Sequence, residues 1–128
     1  MYAEAGTLYV YRSYGIHWCA NVVTGPAGEA SAVLIRGGLP VVGIDRMRER
    51  RGRTDHLTDG PGKVSAALGI TGDDNGSSLI EGPVRLVANA PVEAFTIETT
   101  PRIGVSRAAK RRWRFVARPT NGSSLAPT

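Results

Sequence analysis

Two stretches near the start of the chain alternate apolar and polar residues with the period of two that β-strands require. Residues 8–11 ("LYVY") and 18–23 ("WCANVV") flank the short segment "RSYGIH", and this arrangement predicts a hairpin with an aromatic rim. Residues 31–36 ("SAVLIR") are almost continuously apolar. A run of this kind predicts a third strand, buried within a sheet.

Helical periodicity follows in two places. Residues 41–52 combine an apolar stripe with a strongly basic face, and Pro40 suits the start of such a helix. Residues 61–68 predict a second helix, whose amino end can bind an anion. Three further strands are predicted over residues 79–89 (with a bend at Gly82-Pro83), 93–100 and 113–118.

These elements predict the α/β class in its mixed α+β form. We expect a single compact domain with a largely antiparallel curved sheet, two helices and a protruding β-hairpin, since 128 residues are typical of one domain. Residues 119–128 ("PTNGSSLAPT") have the composition of a flexible tail.

The net charge of +5 and the sequence pI near 10.0 favour an anionic partner, because arginine carries almost all of the positive charge. The arginine content is equally explained by the composition of a GC-rich genome. Cys19 is the only cysteine, so no intrachain disulfide is expected and zinc binding is disfavoured. His17 and His56 are isolated from each other, and we expect surface or structural roles for both and no metal site.

No apolar run approaches the roughly 20 residues of a membrane-spanning helix. The start "MYAEAGTLYVY" also lacks a basic segment followed by an apolar one, which a secretion signal would show. A cytoplasmic protein without membrane contact is therefore expected.

Five segments resemble the alkyladenine (3-methyladenine) DNA glycosylase family in order and approximate spacing: "GTLYVYRSYGIHWCANVV", "AVLIRGG", "DGPGKVSAALGI", "PRIGVS" and "RWRFVAR". The resemblance implies that residues 1–118 form the C-terminal two thirds of the family domain. It also implies a monomeric base-excision repair enzyme that needs no cofactor. Its partner would be double-stranded DNA with damaged purines, and in a bacterium the enzyme would act at the nucleoid. The enzyme would flip alkylated purines of the 3-methyladenine, 7-methylguanine and hypoxanthine type and hydrolyse their N-glycosidic bond.

The resemblance assigns three residues of the hairpin to the DNA. Tyr14 matches the tyrosine that intercalates where the nucleotide has flipped out, Tyr11 matches a wall of the base pocket, and Asn21 matches the asparagine at the pocket floor. The alternative for Tyr14 is a ring that lies back on its own sheet, and the alternative for Tyr11 is a core position. For Asn21 the alternative is a role at the edge of a strand ladder or in a turn.

The resemblance places three more residues around the reaction. Arg36 and the backbone carbonyl of Ile103 (or of Val105) match groups that hold the attacking water, and Lys63 matches a phosphate contact at a helix start. For Arg36 the alternative is a salt bridge to a nearby carboxylate. The basic residues 46–53 and 110–114 could widen the phosphate contact, although solvated charge is the favoured interpretation for most of them.

The general base of the family is a glutamate upstream of the hairpin, and nothing in this chain matches its segment. A general base typically contributes 10²–10⁴-fold, so we expect little or no glycosylase activity from the chain as written. The favoured explanation for the missing glutamate segment is a wrongly chosen start codon, since a protein that lacked the strands upstream of the hairpin would expose apolar surface. The other explanation is that the chain is a genuine truncated relative of the family. In that case the alternative function is a noncatalytic DNA-binding remnant.

Overall fold

The computed structural model describes residues 3–88, 95–103 and 110–119. Contacts within the chain divide it into one unit that contains residues 1–87 and a second unit that contains residues 88–126. The elements of the described ranges, in chain order, are β1 (Leu8–Ser13), β2 (His17–Val23), β3 (Ala32–Leu34), α1 (Ile44–Arg51), α2 (Pro61–Leu68), a 3₁₀ turn (Gly72–Asp74), β4 (Phe95–Thr100) and β5 (Arg114–Pro119).

The first unit is built on an antiparallel sheet with the strand order β1-β2-β3. β1 and β2 pair in register up to Ser13↔His17, so the predicted hairpin is confirmed. β3 pairs with β2 from Asn21↔Leu34 to Val23↔Ala32 and is shorter than the predicted residues 31–36. It lies at the edge of the sheet and Val33 is 52% exposed, so the predicted burial of this strand is wrong.

One face of this sheet forms the core of the unit. Side chains alternate between the two faces of a strand, and Leu8, Val10 and Ala20 share a face on which each is at most 5% exposed. Ile70 and Leu79 pack against them from the later part of the unit. The opposite face is also largely covered on β2, where Cys19, Asn21 and Val23 are each at most 6% exposed, whereas Tyr11 on β1 is 38% exposed.

The two helices pack against each other around a second cluster, formed by Met47, Leu57 and Ala67. α2 begins at Pro61, as predicted, because proline lacks the N–H that would have no partner at the first helical position. The helix ends before Gly69, whose φ of 70° and backbone N–H close the last turn onto Ala66 and Ser65.

α1 begins later than predicted, at Ile44 instead of residue 41. Gly43 precedes it with a φ of 75°, in the left-handed region, and a right-handed helix cannot extend back through that conformation. Val42 lies before the helix and is 82% exposed, so it does not belong to the apolar stripe predicted over residues 41–52.

The strand predicted over residues 79–89 is wrong for the part up to residue 88 that the structure describes. The Ser78 hydroxyl accepts a hydrogen bond from the backbone N of Glu81 at 3.2 Å, and the backbone N of Gly82 donates to the Ser78 carbonyl at 2.8 Å. These local bonds curl the chain into a turn and occupy groups that a strand ladder would need.

The second unit contains the hairpin-like pair β4 and β5, which are antiparallel from Phe95↔Pro119 to Thr100↔Arg114. These strands confirm the last two predicted ones within the described residues. Pro119, the first residue of the predicted tail, is the last residue of β5, and residues 120–128 lie outside the described ranges.

The mixed α/β class is confirmed, with antiparallel strands that form two small sheets and with the two predicted helices. The domain boundary at residue 118 stays a prediction. Among the described residues, no helix combines the length and apolar character needed to cross a membrane.

Leu57→Ala tests the cluster that joins the helices. Leu57 is 0% exposed, so we expect the cavity left by the truncation to lower the free energy of unfolding by about 2–5 kcal/mol, measured by urea denaturation. Val42→Ala is the control, and its effect should stay within about 0.5 kcal/mol because the side chain is exposed. Equal effects of the two variants would contradict the packing described above.

Candidate nucleic-acid interface

The turn between β1 and β2 projects an aromatic ring into solvent. Tyr14 is 92% exposed, so its ring does not lie back on its own sheet. The φ angles of Tyr14 and Gly15 are 53° and 67°, the pattern of a tight hairpin turn. Glycine adopts this conformation freely, whereas for tyrosine it is strained. The hairpin turn therefore presents a large, exposed side chain at a position whose backbone conformation is unfavourable for tyrosine.

Tyr11 and Asn21 lie on the sheet face opposite the core. Tyr11 pairs directly with Cys19, and Tyr9 pairs with Asn21. Directly paired residues share a face, so these four side chains line the same side of the hairpin. This face carries the two sequence-predicted pocket residues of the hairpin.

Arg36 joins the same face from the end of β3. Leu34 pairs with Asn21, and the backbone N of Ile35 donates to the Ala20 carbonyl at 3.0 Å, which continues the pairing past the strand. By alternation, Arg36 returns to the side of Leu34. The structure thus brings together three residues that are far apart in sequence: Tyr11, Asn21 and Arg36.

Tyr11 is 38% exposed, and its ring centroid lies 5.6 Å from that of Tyr9 at an interplanar angle of 36°. Partial burial raises the pKa of the Tyr11 phenol above its ordinary value of 10.0, the Cys19 thiol adds to this increase, and the Arg36 guanidinium opposes it. The phenol is therefore neutral at physiological pH. Tyr11 offers an accessible aromatic surface at the edge of a tyrosine pair.

Asn21 is buried, with 6% of its surface exposed. Its Nδ2 donates to the carbonyls of Tyr9 and Cys19, each at 3.3 Å. The amide is therefore fastened to its own hairpin, as the strand-ladder alternative requires. The same bonds fix its orientation on the face that carries Tyr11 and Arg36, so they are also compatible with a pocket-floor role.

Arg36 is partly buried and makes no hydrogen bond or ion pair within residues 3–88, 95–103 and 110–119. The salt bridge offered as its alternative role is not present in those ranges. Its positive charge acts on the Tyr11 phenol and partly offsets the increase in the pKa that burial causes. The guanidinium donors of Arg36 are therefore available beside the tyrosine.

Lys63 occupies the first turn of α2 and is ion-paired. Its Nζ lies 3.0 Å from Oδ1 of Asp59, while Nδ1 of His56 lies 2.7 Å from Oδ2 of the same carboxylate. These two partners, His56 first, lower the pKa of Asp59 from 3.8 to about 2. A phosphate at Lys63 would therefore meet an ammonium group that Asp59 already holds in place.

Ile103 belongs to the second unit, shortly after β4, and its side chain is 52% exposed. Val105, the alternative donor of the carbonyl, lies outside the described residues. The water-holding role of this segment remains a prediction.

Two arginines of the basic face predicted over residues 46–53 have a structural role that the sequence pattern does not reveal. Arg50 donates to the Ala67 carbonyl at 3.0 Å, and Arg51 donates to the carbonyls of Leu57 and His56 at 3.2 and 2.9 Å. These bonds satisfy backbone acceptors at the end of α2 and in the loop before it. These two arginines are therefore not purely solvated charges, and a phosphate contact by this face stays a prediction.

The basic run 110–114 is also tied to neighbouring groups. Arg112 donates to the Thr99 carbonyl, and Arg114 donates to the Thr100 hydroxyl at 2.9 Å. The guanidinium of Arg111 lies 4.9 Å from the centroid of the Trp113 ring. The contacts of Arg112 and Arg114 tie this run to the end of β4.

His17 packs against the start of α2, where a Cβ on Gly62 would come within 2.9 Å of the Cβ of His17. His56 is engaged with Asp59 as described above. Within the described ranges, no group of three or more histidine, cysteine, aspartate or glutamate residues is arranged to hold a metal ion.

The model of the methylpurine-DNA glycosylase family matches residues 1–121. This chain belongs to the methylpurine-DNA glycosylase family. The resemblance found in the sequence is thus confirmed. A protein of Methanoculleus marisnigri with the name "Putative 3-methyladenine DNA glycosylase" is 51% identical over 120 residues, which cover 90% of this chain and 62% of that protein.

Two bacterial relatives carry the same name. Those of Nocardia farcinica and Agrobacterium fabrum are 51% and 52% identical over 90% of this chain, and the matches cover 57% and 58% of their own lengths. The chain therefore spans less than two thirds of the length of these relatives.

Asp59→Asn tests the cluster around α2 in this glycosylase-family chain. Because the pKa of Asp59 is lowered in the folded state, its ion pairs stabilise the fold above about pH 4, and this contribution is lost as the pH falls toward 2. We expect the free energy of unfolding of the native chain to lose roughly 0.2–1 kcal/mol more than that of the variant between pH 5 and pH 2.

The measurement is urea denaturation at each pH. The control is Asp45→Asn, since the Asp45 side chain is 96% exposed and its one ion pair joins it to Arg48 at 3.3 Å. Identical pH profiles for the native chain and Asp59→Asn would show that these contacts do not contribute to stability.

Proposed function

We propose that this chain acts in DNA base-excision repair as a glycosylase that flips alkylated purines and hydrolyses their N-glycosidic bond. The observation that carries the proposal is the convergence of Tyr11, Asn21 and Arg36 on one sheet face, with the exposed Tyr14 at the tip of the same hairpin. The proposed partner is double-stranded DNA with purines of the 3-methyladenine, 7-methylguanine or hypoxanthine type. A monomer acting at the bacterial nucleoid would suffice for this reaction.

Tyr14 is the proposed intercalating residue. Flipping a nucleotide costs a few kcal/mol of lost stacking and pairing, and an inserted side chain recovers part of that cost. The positive φ of Tyr14 supports this role, because strained backbone positions cluster at functional sites. Intercalation by the ring would account for a tyrosine at a position where the backbone conformation is unfavourable for this residue.

Tyr11 is the proposed stacking wall for the flipped base. N3- and N7-alkylated purines carry a positive charge, and a neutral tyrosine ring attracts such a cation by roughly 0.5–2 kcal/mol, a contribution that normal bases lack. Tyr9 supports the ring at 5.6 Å. Asn21, held by two carbonyls of its own hairpin, is the proposed pocket floor, where it would disfavour guanine through a clash or mismatch with the exocyclic amine.

Arg36 is the proposed group that orients the attacking water. Its donors have no protein partner in the described ranges, and its charge acts on the pKa of the nearby Tyr11 phenol. Lys63 is the proposed phosphate contact, since an ammonium and the amino end of a helix both attract anions. The carbonyl of Ile103 keeps its water-holding role as part of the same proposal.

Catalysis by the 128-residue chain alone is proposed to be weak. β1, β2 and β3 carry no aspartate or glutamate ("LYVYRS", "HWCANVV" and "AVL"), so the strands that present Tyr11 and Asn21 supply no carboxylate to activate water. A general base typically contributes 10²–10⁴-fold. The same observation favours noncatalytic DNA binding as the second candidate function.

Tyr14→Ala tests the intercalation. We expect the variant to bind a duplex with an abasic-site analogue roughly 5- to 150-fold more weakly, as loss of one base–aromatic stack of about 1–3 kcal/mol implies. Fluorescence anisotropy at fixed salt measures the change, and Tyr14→Phe, which keeps the ring, should bind like the native chain. Unchanged binding by Tyr14→Ala would remove Tyr14 from the interface.

Arg36→Ala tests the reaction. Single-turnover release of base from methylated or hypoxanthine-containing duplex should be slow for the native chain and absent for the variant, whereas Arg46→Ala, on the exposed side of α1, should match the native chain. Rapid release that Arg36→Ala abolishes would refute the proposed weakness of the isolated chain. Tight binding without any release would leave noncatalytic binding as the function of these 128 residues.

A further inference from the structure

The face of the hairpin opposite Tyr11 carries a cation–π pair close to the tip. Arg12 and Trp18 are directly paired across β1 and β2, and Cζ of Arg12 lies 5.3 Å from the centroid of the Trp18 ring. Arg12 is exposed. In the part of the chain that the structure describes, its guanidinium makes no hydrogen bond or ion pair.

Trp18 is a fixed platform for this guanidinium. Its ring packs against the core cluster of the first unit and against the 3₁₀ turn, where a Cβ on Gly72 would come within 2.8 Å of Cη2. A ring held on these sides restricts the arginine that rests on it. Such preorganisation lowers the entropy that Arg12 would lose on binding a ligand.

Two arginines of α1 show what Arg12 lacks. Arg50 and Arg51 use their donors on backbone carbonyls, whereas a cation–π contact leaves all five N–H donors of Arg12 unused. A planar guanidinium with free donors suits two oxygens of one phosphate. Its ligand should therefore be a phosphate group.

We propose that Arg12 binds a backbone phosphate of the DNA strand opposite the flipped nucleotide, with Trp18 as its positioning residue. This inference rests on the proposed function. Adjacent residues of a strand point to opposite faces, so when Tyr11 faces the flipped nucleotide and Tyr14 fills the gap, Arg12 faces the complementary strand. At the tip of the hairpin, beyond the buried Leu8 and Val10 of the core face, the two faces would then bind the two DNA strands.

The test measures binding of the full chain to a duplex with an abasic-site analogue at several salt concentrations. Loss of one phosphate contact should reduce the slope of log K against log salt by about 0.9. Between 50 and 200 mM salt, the affinity of Arg12→Gln should therefore fall about three- to fourfold less than that of the native chain. Arg12→Lys should keep the native slope, because it keeps the charge.

Arg46→Gln is the matched control. It removes the same charge from α1, and Arg46 also makes no hydrogen bond or ion pair with the described residues. A second arm replaces phosphates near the lesion by neutral methylphosphonates in one strand at a time. Replacement in the complementary strand should weaken the native chain severalfold and Arg12→Gln no further.

The outcomes separate this inference from the proposed function. Equal slopes for Arg12→Gln and Arg46→Gln, or sensitivity to methylphosphonate in the damaged strand only, would overturn the assignment of Arg12 even when Tyr14→Ala still loses affinity. A native chain that binds no duplex at all would overturn both. Thermal unfolding of each variant establishes that it is folded.

Discussion

The antiparallel pairing of β1 with β2 around Tyr14 and Gly15 is the constraint on which the rest of the first unit depends. Because strand side chains alternate with a period of two, a slip of one residue would move the whole apolar set to the other face. Burial of Leu8 and Val10 against Ile70 therefore fixes the register. The same register places Tyr11 and Asn21 on the opposite face, so the stability of the core and the geometry of the candidate pocket have one physical cause.

Arginine serves three different purposes in this chain. On α1, Arg50 and Arg51 satisfy backbone carbonyls and join α1 to neighbouring backbone. In the second unit, Arg118 crosses between strands to Glu98 at 2.8 Å. Arg36 and Arg12, in contrast, keep their donors clear of the described protein groups. Net charge consequently overstates the surface available to an anion, because several arginines already use donors on carbonyl or carboxylate groups of the chain.

The hairpin and α2 were predictable from sequence because local chemistry specifies them: alternation around Tyr14-Gly15 for the former, and Pro61 with Gly69 for the latter. Residues 79–88 were not, since their apolar content suggested a strand while the hydrogen bonds of Ser78 formed a turn. The late start of α1 depended on the backbone conformation of Gly43. The Arg12–Trp18 pair depends on a three-residue connection, residues 14–16, that sets Ser13 opposite His17, and the sequence pattern did not fix that length.

The sequence by itself determined the family, the identities of the candidate site residues and the existence of the hairpin, because these follow from motifs and short-range periodicity. Tertiary structure alone decided that Arg36 shares a face with Tyr11, that Asp59 holds Lys63, and that arginines of α1 bind carbonyls. Each of these contacts joins side chains to partners whose positions depend on how separate elements pack. One-dimensional periodicity records which way a residue points along its own strand or helix, but not which group from another element it will meet there.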